Sequence, residues 1–541
     1  MSFRLGNVSF NLTRKIIVAY GLIETHLFKY HESNIPKICL NDLIRAITIH
    51  EMDYKFKKLE PHNYIKNGSD ELNHIIVWLM KAYSDNILNS VETGLKDKCL
   101  EMILVATMWK IKQSLMNHFP SDPRKGQIGS IELNLWLAQM SGVSVMRLRQ
   151  NSSDINIFIF LYTALITILV TFVYTACEFY DLALNWYDLN ILTQNSCISL
   201  THLAGLAKII NALYKLKDIQ KVLDKLKYGL RTYTISKEQR QTFLDGELEN
   251  KLLLSVYVAI VATTGLLGMF VLFLSIQVLL HPVKMAGKTF PYRAVVPSWV
   301  PFPLQLLYMS LSVLIFAMQI VAIDYLNINL LNQLRYQLNI LNLAFDKLSF
   351  EKEQKNPAPH SRRLNAIIEH HCLLKEVCQD IESIFSVSIL LQFFTSLIIF
   401  AMTGFQATVQ SDASNEAILI YFYCGCICCE LFLYCCFGNA VTEQSKTLPI
   451  RSFNSSWYDY DGPYRKSLLV FLTNAQQPFV FTAGRFMDLS LPSFLGILSK
   501  SYSYIALLRQ LYGPLNLGAQ APGTVVFMYF LAAFPLSSIM S

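Results

Sequence analysis

Six of the twelve cysteines, Cys424, Cys426, Cys428, Cys429, Cys435 and Cys436, stand in one short run that invites a metal or redox reading. A zinc centre needs four donors that converge, usually thiolates with histidines at set spacings. This run has no histidine and no such spacing. It lies inside an apolar block, where cysteine serves as a small polarizable packing residue, and it is read that way. His370-His371 with Cys372 and Cys378 is the other group of ligand types, and its charged surroundings fit a solvated helix face. Glu430 sits inside an apolar block, either lining a cation path or bonding within a helix bundle, because ionisable groups in lipid are costly and face protein or water. Asp324, at the end of another block, is read as interfacial. No Gly-rich phosphate loop, HExxH or nucleophile elbow occurs, and no single segment carries two carboxylates that would share a pocket. The chain is read as a non-enzyme without cofactor or metal.

Binding chemistry is better represented than bond-making chemistry. Phe270 and Phe273, Tyr308 and Met309, and Tyr421 and Phe422 lie toward one end of three apolar blocks, with few formal charges near them. Together such side chains suit a small apolar or weakly polar ligand, held by buried area and aromatic contact. Taken singly, each also fits a lipid-facing or gap-filling role. Residues 281–303 carry Pro282, Pro291, Pro297, Pro301 and Pro303 with Tyr292 and Trp299, a stiff segment placed to cover the helix ends.

The elements that must position these residues are membrane helices. Hydrophobic residues make up 53% of the 541, charged residues 16%, and mean hydropathy is +0.34. A soluble domain carries about a quarter charged residues. Apolar blocks at 157–178, 190–213, 253–280, 304–326, 382–408, 417–437 and 489–512 reach the roughly 20 residues that cross hydrocarbon as a helix. The fold class expected is therefore all-α, a polytopic membrane protein with seven transmembrane helices. Connections 214–252, 327–381 and 438–466 hold 20 Lys and Arg, against 3 in 179–189, 281–303 and 409–416. The basic set belongs in the cytosol, which puts the N-terminus there too. The net charge of +7 thus reflects contact with membrane lipid and cytosol, and no nucleic acid partner is expected. Leu206, Ile209, Ile210, Leu213, Leu216, Ile219, Val222, Leu223 and Leu226 recur every three or four residues, so an amphipathic helix runs out of the membrane. Similar periodicity through 326–348 and 364–384 suggests a packed cytosolic bundle where subunits meet.

The most specific stretch is 474–513, with Asn474-Ala475-Gln476-Gln477-Pro478, Thr482-Ala483-Gly484-Arg485-Phe486, Leu489-Ser490-Leu491 and Ser501-Tyr502-Ser503-Tyr504. It resembles the seventh helix of insect odorant receptors. Phe437-Gly438-Asn439 with Glu443, Ser445 and Trp457-Tyr458 resembles that family's junction after the sixth helix, and Leu135-Trp136-Leu137 with Ser141-Gly142-Val143 resembles its start. The resemblance covers about 131–513. It implies a plasma-membrane, odorant-gated, non-selective cation channel of sensory neurons, with an odorant receptor-like fold. Subunits form a tetramer around a pore lined by the seventh helix, either alone or as a heterotetramer with a shared co-receptor. A small volatile odorant enters between the outer halves of helices two, three, four and six. Aligning the last helix places Leu507 at the family's hydrophobic gate and Gln510 at a polar ring, in keeping with closure of an apolar constriction by dewetting. The connection 327–381 is shorter than the co-receptor's, which implies a ligand-specific tuning subunit.

Residues 1–130 have no counterpart in that pattern and are read as a cytosolic helical extension; 514–541 is an apolar tail of unassigned role. Two other readings stay in view. A G-protein-coupled chemosensory receptor would place the N-terminus outside, exposing the sequons Asn7-Val8-Ser9, Asn11-Leu12-Thr13 and Asn67-Gly68-Ser69 to glycosylation. A gustatory receptor-type channel shares the architecture but ends in a Thr-Tyr and Gln-Phe pattern that Ser503-Tyr504-Ile505-Ala506 replaces. A secondary transporter would show inverted repeats, and none is visible.

Overall fold

The computed structural model describes residues 114–143, 157–185, 189–234, 236–280, 294–295, 299–350, 357–409, 415–455 and 457–512. Most of the N-terminal extension and the whole apolar tail therefore lie outside the described residues. The described residues from Ser121 onward form one compact unit, and residues 114–120 belong to another.

The unit is built almost wholly of helices, as composition requires. In order these are α1 (Gly129–Met140), α2 (Ile157–Ile166), a π-helical stretch Thr167–Val173, α3 (Tyr174–Leu184), α4 (Leu189–Tyr214), α5 (Leu216–Tyr233), α6 (Lys237–Leu280), α7 (Phe302–Phe350), α8 (Pro357–Val409), α9 (Asn415–Phe453), α10 (Gly462–Ala475) and α11 (Leu491–Tyr512). All seven apolar blocks fall within this helical run, although the last begins two residues before α11. Five segments among the described residues are long and apolar enough to cross a membrane: Leu161–Leu184, Asn195–Tyr214, Leu307–Leu348, His360–Gln406 and Tyr421–Asp459. The protein is a polytopic, all-α membrane protein.

Local sequence sets several boundaries. Ser236 and Gln239 form a reciprocal capping box at the start of α6: Ser236 Oγ accepts from Gln239 N at 3.1 Å, and Gln239 Oε1 accepts from Ser236 N at 3.0 Å. Asp461 caps α10 by accepting from Tyr464 N at 3.2 Å. In α5 the periodic residues Ile219, Val222, Leu223 and Leu226 are all buried, and Leu230 with them, whereas Ile210 and Leu213 of the same repeat, on α4, are exposed.

α7 is the axis of the bundle, packed against α1, α4, α6, α8 and α9. At 49 residues it is about 74 Å long, far more than the roughly 30 Å of hydrocarbon, so it continues well beyond the lipid. Toward the end where the basic connections lie, its interior is polar. Glu247 of α6, fully buried, accepts from Ser121 Oγ (2.7 Å), Ser130 N (2.9 Å) and Ser130 Oγ (2.7 Å), and from Gln333 Nε2. Asn250 donates to Asn329, and Tyr325 donates to the Asn250 carbonyl at 2.6 Å. Leaving any of these groups unbonded would cost about 1–3 kcal/mol, so the network fixes α1 onto α6 and α7.

Two expectations are corrected here. His370 and His371 are buried, not on a solvated face. His370 stacks on Tyr233 with centroids 4.4 Å apart and donates to Gln337 Oε1 at 3.3 Å, while His371 packs edge-on to Phe471. Burial, with His371 adjacent, pushes His370 down to about 3; burial, with Lys375 nearby, pushes His371 down to about 4. Asp324 is not interfacial either: it is fully buried in an ion pair.

Candidate functional site

At the end of the bundle opposite the basic connections, four aromatic rings run together from three helices. Tyr308 of α7 meets Tyr174 of α3 edge-on, with centroids 6.1 Å apart; Tyr174 meets His202 of α4 at 5.7 Å; His202 stacks on Phe316 of α7 at 4.5 Å. Beneath the rings His202 Nδ1 and Glu178 Oε2 lie 2.6 Å apart, both nearly sealed from solvent. The π-helical stretch before α3 sets this geometry. Thr171 donates to Gln319 Oε1 at 2.7 Å, Gln319 Nε2 donates to the Ser141 carbonyl at 3.0 Å, and Thr167 donates to the Gly142 carbonyl at 2.8 Å. Such bulges reset the phase of a helix and recur at functional sites. Here Tyr174 and Glu178, four residues apart, both point into the bundle. Tyr174, Glu178, His202 and Phe316 are buried against one another, so the half-buried Tyr308 is the ring of this cluster that offers surface for aromatic contact with a small ligand.

Of the residues expected to bind ligand, Tyr308 joins this wall and also donates to the Leu169 carbonyl at 2.8 Å. Met309 is buried beside it in sequence, Tyr421 is half-buried and Phe422 is 47% exposed. Phe270 and Phe273 lie on α6, their side chains outside the described residues. Sequence reasoning missed Tyr174, Glu178, His202 and Phe316. The signal available was the pair of ionisable residues, Glu178 and His202, at or within apolar blocks.

Midway along the bundle, Lys208 of α4 reaches both Asp324 of α7 (2.8 Å) and Glu430 of α9 (2.7 Å). Tyr434 donates to Asp324 Oδ1 at 2.9 Å, and its ring lies 6.0 Å from the Lys208 ammonium. All three charged side chains are at most 3% exposed. The cluster ties α4, α7 and α9 at one level, and a charge buried this deeply persists only when paired. Glu430 thus bonds within the bundle. The two carboxylates that no single segment supplied come from different helices, joined by a lysine the sequence reading passed over.

The last helix is aimed by a tight hairpin. β1 (Thr482–Ala483) pairs antiparallel with β2 (Met487–Asp488), Thr482 opposite Asp488 and Ala483 opposite Met487. Gly484 and Arg485 both have positive φ, 60° and 64°, the pattern of a type I′ turn. Gly484 N donates to Ser386 O at 3.0 Å and to Ser386 Oγ at 2.9 Å, which docks the hairpin on α8. α11 then packs on α8 and α9 through Phe494, Ile497, Ser501 and Ile505, all buried. Its other face, with Ser503, Leu507 and Gln510 spaced four and three residues apart, stays exposed.

The 7tm odorant receptor family model matches residues 188–502, more than half of the chain. The chain belongs to the odorant receptor family. Putative odorant receptor 85d of Drosophila melanogaster is 34% identical over 150 residues, 28% of this chain and 36% of that protein. Odorant receptor 85b of the same fly is 24% identical over 235 residues, 42% of this chain and 59% of that one. The match thus spans less than two thirds of either relative. Odorant receptor 85c is 23% identical over 320 residues, 57% of this chain and 80% of that protein. The olfactory receptor OR5 from the insect Machilis hrabei, solved in complex with eugenol, shares the fold at a TM-score of 0.62 and 17% identity, over 70% of this chain and 97% of that one. In this odorant receptor the hairpin motif Thr482-Ala483-Gly484 has a structural reason. A Cβ on Gly484 would come within 2.3 Å of Leu390 Cδ2, so the close approach of turn to α8 requires glycine.

Proposed function

We propose that this odorant receptor is a ligand-specific subunit of an odorant-gated, non-selective cation channel. It crosses the plasma membrane seven times with its N-terminus in the cytosol, and it assembles with a co-receptor in a heterotetramer. Residues 131–513 form the channel domain, with 1–130 as a cytosolic extension and 514–541 as an apolar tail. The observation that carries this reading is the unpartnered face of α11. Ser503, Leu507 and Gln510 alternate polar, apolar and polar along it, and Leu507 is 49% exposed in the single subunit. Around a symmetry axis such a face makes a hydrophobic ring between two polar ones, which closes by dewetting and opens on modest widening. Leu507 is the gate and Gln510 the polar ring beside it.

The ligand is small, volatile and mainly apolar, bound near Phe270, Phe273, Tyr308, Met309, Tyr421 and Phe422. The aromatic wall at Tyr308 supports this, and so does the eugenol held by the M. hrabei receptor. Leu507→Ala, expressed with a co-receptor, should raise basal current or agonist sensitivity; unchanged currents at normal surface expression would remove Leu507 as the gate. Glycosidase treatment tests orientation, since a mobility shift traced to Asn7, Asn11 or Asn67 would place the N-terminus outside.

A further inference from the structure

One face of α4 and α5 changes chemistry at a single level. Ile210, Leu213 and Tyr214 are 47%, 40% and 84% exposed, an apolar stripe facing out of the bundle. Three and seven residues after Tyr214 the same face presents Lys217 and Lys221, both exposed. α8 runs alongside, held in register where Asn211 Nδ2 donates to the Ile384 carbonyl (2.9 Å) and to Ser388 Oγ (3.0 Å). At that level Val387 of α8 is 72% exposed, which extends the apolar surface across two helices. Beyond it a groove of about 440 Å³ opens, with Lys217, Lys221 and Lys225 at its rim and Tyr228 and Leu373 among its lining.

Not every lysine of the groove has an ion-pair partner. Lys225 is held by Glu376 (2.9 Å) and Asp380 (2.8 Å), and the groove's own acid, Asp224, accepts from Gln220 at 3.0 Å. Among the described residues no carboxylate lies within 4 Å of Lys217 or Lys221. Two ammonium groups four residues apart on a helix repel each other, so a counter-charge from outside the chain would be favoured there.

We propose that the groove seats the phosphate-bearing headgroup of an anionic phospholipid. The phosphate sits between Lys217 and Lys221, whose flexible ammonium groups act as point charges toward it. The acyl chains lie against Ile210, Leu213, Tyr214 and Val387. The order along the helix, apolar and then cationic, matches the order within a phospholipid, chain and then phosphate. A soluble inositol phosphate shares the anion chemistry but has nothing to lay on the apolar stripe. The source of the lipid, the anionic cytosolic leaflet, rests on the orientation proposed above, whereas binding to purified protein does not depend on it.

The test titrates full-length protein, purified in neutral detergent, with phosphatidylinositol 4,5-bisphosphate, phosphatidylcholine and soluble inositol 1,4,5-trisphosphate. Each juxtamembrane lysine contributes about fivefold to anionic lipid affinity, so Lys217→Gln with Lys221→Gln should weaken binding of the bisphosphate lipid roughly 25-fold. Both side chains are exposed, so the lipid-free melting temperature should not move. Lys446→Gln, whose ammonium pairs with Glu443 at 2.8 Å on α9, should bind like the parent. Unchanged lipid affinity in the double variant overturns the site. Equal affinity for phosphatidylcholine overturns the anionic assignment, and soluble trisphosphate binding as tightly as the lipid overturns the lipid assignment.

Discussion

Replacing Lys208 by methionine keeps the length of the side chain and removes the cation that Asp324 and Glu430 share. The two carboxylates, at most 3% exposed, would keep the Tyr434 hydroxyl as a neutral donor. Removing one partner of a buried ion pair costs about 3–5 kcal/mol, because the remaining charge stays desolvated. At the lower figure the folded-to-unfolded ratio falls about 150-fold. Asp324→Asn should cost less, since Lys208 keeps Glu430 at 2.7 Å. Neutralising all three together (Lys208→Met, Asp324→Asn, Glu430→Gln) leaves no uncompensated charge and should recover most of the loss. Thermal melting followed by fluorescence-detected size exclusion in detergent reads all three variants, with surface labelling in cells as a second measure. The single lysine variant should melt about 3–6 °C lower, the shift that about 3–5 kcal/mol gives in a unit of this size. If it melts with the parent, or if the triple variant melts no higher than the single one, the cluster does not hold the helices as argued.

Two further predictions concern the surrounding scaffold. His370 and His371, held at about 3 and about 4, stay neutral in the fold, while the unfolded chain takes up protons near 6.5. Their contribution is therefore complete above pH 6.5 and is lost as pH falls toward 4, by about 1.4 kcal/mol per pH unit for each ring. Melting temperature should drop between pH 7 and 5, and His371→Phe should flatten that drop; an equal slope in both proteins would contradict it. Gly484→Ala places a Cβ at positive φ and 2.3 Å from Leu390 Cδ2, and should cost about 1–3 kcal/mol, read as lower surface expression and a lower melting temperature.

The helices and their order were legible because span length and the three-to-four-residue repeat are local properties. Leu206–Leu226 and α7 show this, and so does the motif run from Asn474 to Tyr504, which contains the turn at Gly484. The polar interior was not legible. Lys208 and Asp324 are 116 residues apart and Lys208 and Glu430 are 222 apart, so nothing near any one of them announces the others. For the same reason Asp324 read as interfacial and His370 as solvated. Whether a polar residue is wet depends on which helix lands against it. Glu178 was hidden further by the π-helical stretch before it, whose phase shift a uniform helical repeat cannot anticipate.

The length of α7 has a mechanical consequence. Past Pro303 in its first turn it contains no proline, so one stiff rod joins the aromatic wall at Tyr308 to Phe350. A rod of this kind is a lever: tipping the end beside Tyr308 by about 5° sweeps the far end through roughly 6 Å over its length. A molecule too small to span one turn of helix could in this way reposition the chain more than fifty ångströms away.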